Sequence, residues 1–132
     1  VHGGRYAPFP SPSEDLWLLR ISNDGVLSWE RPEGVEGIFP SPRSEHTAVV
    51  VSLSRVVIFG GRPLTQKTSA TYTPPDPEKN ALPCEDTLHV LHVFTDGPMM
   101  WTNYPMPSGG PCPRWGHTAA TVGTSRMFIF GG

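Results

Sequence analysis

The sequence predicts an all-β fold made of repeated four-stranded antiparallel units, and three observations carry that expectation. The segment Pro40 to Gly61 returns without insertion as Pro111 to Gly132, with thirteen of twenty-two aligned positions identical. Within each copy, two short apolar runs are joined by a tight polar link, the pattern of a hairpin. Each copy then closes on a pair of glycines. A repeat of this length means that one supersecondary unit is reused and packs against copies of itself.

Taken in order, Val1-His2-Gly3-Gly4 matches the tail Ile58-Phe59-Gly60-Gly61, so the chain is expected to start mid-unit. Leu16 to Ile21, then Asp24-Gly25, then Trp29 form two strands about a turn, because Asp-Gly tolerates the positive φ of a hairpin or bulge. Ala48 to Val51 and Val56 to Phe59 flank Ser52-Leu53-Ser54 as the next hairpin. Leu88 to Val93, Asp96-Gly97 and Trp101 repeat the earlier half at a spacing of 72, where the first half repeats at 71. The apolar runs are continuous instead of alternating, which predicts strands covered on both faces by stacked sheets. The expected partition is 1–34 as the end of one unit (its third and fourth strands), 35–105 as a full unit with a Pro/Thr-rich insertion at 62–84, and 106–132 as the first half of the next. The outer sheets then present unpaired edges, so the segment alone is expected to be marginal or self-associating.

Composition narrows the function classes. Twelve acidic against ten basic side chains, with two lysines, leave no broad basic face for a phosphate backbone, which argues against nucleic acid. The longest apolar runs are four residues, far short of a membrane span. Cys84 and Cys112 sit in proline-rich connections outside any CxxC spacing and read as reduced thiols. A soluble, cytoplasmic segment is expected.

The residues carry a family resemblance. Pro-Arg-x-x-His-Thr-Ala, an apolar strand, the double glycine, an Asp-Leu-x-x-Leu strand in the first unit (Asp15 to Leu19), its counterpart Thr87 to Leu91 in the second, and a later tryptophan resemble kelch repeats across the whole chain apart from Arg62 to Cys84. The resemblance implies that each unit is one blade of a β-propeller. Distances of 57 and 71 residues between the double glycines exceed the usual period of about fifty, and the excess lies in loops.

In an up-and-down blade, connections alternate between the two ends of the sheet. One end therefore collects Arg5 to Ser13, Arg62 to Cys84, Pro32 to Pro42 and Asn103 to Pro113. Loops on a rigid scaffold carry recognition. Arg5, Tyr6, Arg62, Tyr72, Tyr104 and Trp115 lie in or beside them, and arginine with aromatics is what interface anchors are made of. The insertion reads equally as a partner-binding arm or a tolerated surface excursion. Gly3, Gly4, Gly60, Gly61, Gly131, Gly132, Trp29 and Trp101 read as structural repeat residues, the glycines either for close packing or as loop starts. Arg43, Arg114, His46 and His117 recur in every unit, and their alternatives are bonds to neighbouring backbone or contact with a ligand.

Chemistry finds little support. His89 and His92, three apart on a strand, point to opposite faces, and no metal-ligand cluster, nucleophile motif or phosphate loop appears. The tyrosine, histidine and crosslinked cysteine of a kelch-like copper radical oxidase have no counterpart. No enzyme activity, metal or cofactor is expected. The sequence predicts a protein–protein interaction module whose remaining blades come from the rest of the chain. A second reading rests on Gly3-Gly4-Arg5 and Gly60-Gly61-Arg62. These resemble the accessory propeller of tRNA wybutosine-synthesising carboxymethyltransferases, which are related to leucine carboxyl methyltransferases.

Overall fold

The computed structural model describes residues 2–4, 13–63 and 87–132. Arg5, Tyr6, Tyr72, Cys84, the connection 5–12 and the insertion beyond residue 63 lie outside the described residues. Among those described there are eleven strands and no helix.

β1 (Leu18–Ile21) and β2 (Leu27–Glu30) form the first hairpin, with Leu19 opposite Trp29 and Ile21 opposite Leu27. Its turn uses Gly25 at φ 80°, as the Asp-Gly pair predicts. β3 (Glu36–Gly37) and β4 (Arg43–Ser44) are two-residue segments. β5 (Thr47–Ser52), β6 (Arg55–Phe59), β8 (Thr87–His92) and β9 (Met100–Pro105) pair antiparallel in chain order. β7 (Arg62–Pro63) pairs with β4. β10 (Thr118–Val122) and β11 (Arg126–Phe130) make the last hairpin.

The central sheet departs from the expected four strands. Its order is β3-β9-β8-β6-β5, the fifth strand joining parallel to β9 through Glu36 and Ile38 amides donating to Met99 and Trp101 carbonyls, both at 2.9 Å. The reason is the open edge of β9, whose unpaired carbonyls are best satisfied by a passing backbone. The same demand turns parts of the expected loops into ladder. Asn103 to Pro105 extend β9, and Arg62-Pro63 pair with Arg43-Ser44.

Ile58, Leu91 and Trp101 are the core, and Leu16, Val35, Val56, Val93 and Met99 pack on them. Leu16 comes from the preceding unit, where it bridges to His2. Trp101 is 2% exposed, yet its repeat equivalent Trp29 is 56% exposed. The expected two-sided cover thus holds only where a neighbour is described. Trp101 has Leu16 and His2 of the first unit against it, while Leu19, Ile21, Leu27 and Trp29 share a face that no described residue covers. The other side of the sheet behaves alike: Phe59 is fully buried against His117, whereas Phe130 is 83% exposed.

Burial by the neighbour sets the energetics. In the 132-residue chain, Trp101→Ala is expected to cost about 3–5 kcal/mol and Trp29→Ala less than about 1 kcal/mol, measured by urea unfolding; equal costs would overturn the role of the neighbouring unit.

Candidate interaction face

The joint between units is built from the double glycine and the repeated arginine. The Arg43 side chain, fully buried, donates from Nη1 to the Gly60 carbonyl at 3.1 Å and from Nε to the Ser41 carbonyl at 3.1 Å. Arg114 reproduces this with Gly131 at 2.8 Å and Cys112 at 3.2 Å. The backbone carbonyls of the same arginines face the preceding unit. Gly4 N–H donates to Arg43 O at 3.0 Å, and Gly61 N–H donates to Arg114 O at 2.9 Å. One arginine thus ties its own unit with its side chain and the previous unit with its main chain.

Glycine is required where these backbones meet. A Cβ on Gly60, at φ 66°, would lie 2.2 Å from the Arg114 carbonyl oxygen and 2.9 Å from the His117 ring. Gly3 faces Arg43 O and His46 in the same way, at 2.8 and 3.1 Å. His117 packs edge-on to Phe59 with ring centroids 5.1 Å apart, and its Nε2 lies 2.7 Å from Thr47 Oγ1. Burial, followed by the nearby arginine charge, lowers the pKa of both His46 and His117 below the ordinary imidazole value, keeping them neutral.

The loop-borne arginine and aromatics that the sequence singles out begin at this joint. Arg62 leaves the double glycine on β7, and its guanidinium carbon sits 4.9 Å from the Trp115 ring centroid, a cation–π contact across two units. Glu45 holds the same guanidinium at 3.4 Å. All three side chains are partly solvent-exposed, so the pair positions the arginine more than it stabilises the fold. Tyr104 belongs to β9 opposite Leu88 and is exposed. Arg5, Tyr6 and Tyr72 are outside the described residues.

Two features escaped the sequence reading. Glu45 occupies the position of Gly116, and both have positive φ, 59° and 66°. A non-glycine residue there costs about 1 kcal/mol, and that mismatch in the repeat was the available signal. Trp17 and Arg31 form a second stacked pair at 4.7 Å, with Trp17 Nε1 donating to Asp15 at 2.8 Å. Their repeat equivalents are His89 and Asn103, so the repeat gave no hint. Among the described residues no group of three or more metal-ligating side chains exists, and no helix is long and apolar enough to cross a membrane.

Tandem joints of this kind, between neighbouring antiparallel hairpins and sheets, agree with the comparison to known families. A family model described as the KLHDC2/KLHL20/DRC7 Kelch-repeats domain matches residues 1–132. The chain belongs to the kelch-repeat family. It is 32% identical over 132 residues to acyl-CoA-binding domain-containing protein 4 of Arabidopsis thaliana, covering all of this chain and 16% of that protein. It is 33% identical over 121 residues to the Rab9 effector protein with kelch motifs of Xenopus laevis, covering 91% of this chain and 28% of that protein. An F-box/kelch-repeat protein of Arabidopsis thaliana is 31% identical over 120 residues, covering 89% and 22%. The chain therefore spans between a sixth and under a third of these curated relatives. The all-β sheets are those of a kelch-type β-propeller fragment, and the described sheets do not close into a ring. The kelch match lends no support to the methyltransferase-associated reading.

The kelch joint makes a paired expectation. Gly60→Ala and Gly131→Ala share the positive-φ penalty, but a Cβ on Gly131 meets nothing within 4 Å. In the 132-residue chain Gly60→Ala should therefore be the more destabilising by about 2 kcal/mol or more, read as the difference in urea unfolding free energies; equal losses would show that the close approach is not what the glycine serves.

Proposed function

We propose that this kelch segment is a protein-binding module that works through the end of the propeller where its long connections gather, with Arg62 stacked on Trp115 as the anchor. The observation that carries the reading is that cation–π pair, a partly exposed guanidinium held flat by an aromatic ring from the next unit and steadied by Glu45. A pre-positioned arginine loses little side-chain entropy on binding, which is what raises its contribution at an interface. Tyr104, Arg5, Tyr6 and Tyr72 are taken as further partner contacts in this reading, the last three from outside the described residues.

The wider proposal follows the sequence. Residues 1–34, 35–105 and 106–132 are the end of one blade, a whole blade and the start of the next. Further blades of the full protein cover the apolar faces at Trp29 and Phe130. Kelch-repeat domains are generally non-enzymatic, and we take this segment as such, in a cytoplasmic protein. The relative named a Rab9 effector sets a precedent for a protein partner.

The test uses quantitative capture of interactors by the full-length protein. Arg62→Ala with Trp115→Ala should lower recovery of specific interactors at least about tenfold, while Arg20→Ala, an exposed side chain paired with Glu30 on the first hairpin, leaves them unchanged. Undiminished capture by the double variant, with its melting temperature intact, would remove the anchor from the proposal.

A further inference from the structure

We propose that the joint between the first hairpin and the central sheet opens on acidification, with His2 as the group that drives it, while the equivalent joint at Phe59 and His117 holds. The two joints share one backbone geometry, Gly4 N–H on Arg43 O in the first and Gly61 N–H on Arg114 O in the second. They differ at the repeat position that packs on the joint's histidine. Where the repeat has Phe59 and Phe130, the first unit has His2.

His2 fills the phenylalanine position physically as well as in register. It is 8% exposed, packs edge-on to His46 with centroids 5.9 Å apart, and edge-on to Trp101 at 5.4 Å. Neither ring nitrogen has a hydrogen-bond partner among the described residues. The apolar cleft it lines is walled by Leu16, Leu18, Ile58, Leu91 and Trp101. A neutral imidazole tolerates this place as a phenyl ring would; an imidazolium brings two desolvated N–H donors into it.

The charges around it sharpen the effect. From the central unit His46 and Arg43 face His2, both opposing a second positive charge. From its own side Asp15 favours protonation, a smaller influence than burial. The balance lowers the His2 pKa to about 4, with burial the largest cause. Because the open state binds the proton at the ordinary value near 6.5, the joint is at full strength above that pH and loses it as the pH falls towards about 4. His117 has a phenyl neighbour in place of a second imidazole, and its Nε2 is already engaged by Thr47.

Hydrogen exchange of the full chain at pH 7 and pH 5, corrected for intrinsic rates, tests this. Opening at Gly4 should rise roughly twentyfold, the ratio set by a shift from 6.5 to about 4, and opening at Gly61 far less. His2→Phe, which restores the repeat residue, should flatten the response at Gly4 and leave the neutral-pH protection intact. Equal responses at the two glycines, an unchanged response in His2→Phe, or a His2 NMR titration near the ordinary imidazole value would each overturn the proposal.

Discussion

The hydrogen bond from the second glycine of one unit to the arginine carbonyl of the next is the constraint on which the molecule depends. It can form only if two backbones come within contact distance, and the first glycine of each pair permits that approach: a Cβ on Gly60 would overlap the Arg114 carbonyl. The arginine cannot shift to relieve it, because its guanidinium is tied to its own unit's glycine carbonyl, Gly60 for Arg43 and Gly131 for Arg114. Arg43, at the first joint, is a fully buried cation satisfied by backbone carbonyls and is costly to leave half-bonded. The side chain therefore fixes where its own carbonyl sits, and that carbonyl fixes the neighbour.

Units joined this way stabilise one another more than themselves. Leu91 and Trp101 are buried where Leu16 and His2 of the first unit pack on their cluster, and the identically placed Leu19 and Trp29 are exposed for want of the same cover among the described residues. Stability then behaves as a sum of unit and interface terms. A change at one joint, such as histidine for phenylalanine at position 2, acts there without rewriting the next.

The repeat made the strands, the double glycines and the arginine legible, because periodic identity exposes what every unit needs. It hid what is set by neighbours at a distance. The parallel strand Glu36–Gly37 exists because β9 has an open edge, and nothing in its own two residues is strand-like. Trp29 and Trp101 read alike in sequence and differ wholly in burial. Arg62 and Trp115 could be singled out as a loop-borne arginine and aromatic of adjoining units, but the sequence does not say that they touch. Departures from the repeat were the more informative signal. Glu45 in place of a glycine marks the position where backbone strain is accepted to bring a carboxylate to Arg62.

That placement links binding to the joint. Arg62 follows the glycine that donates across the interface, Trp115 follows the arginine that accepts, and Gly116 donates from its N–H to the carbonyl of Glu45 at 3.0 Å. Arg62 and Trp115 are thus each one residue from the contact that sets the spacing of two units, and Glu45 is bonded to the residue after Trp115. A ligand that requires Arg62 flat on Trp115 favours the closed joint, since the stack forms only when both units are in register. Whatever loosens the joint weakens the anchor by the same free energy. The scaffold and the proposed recognition surface are therefore one thermodynamic system, with the double glycine as its shared element.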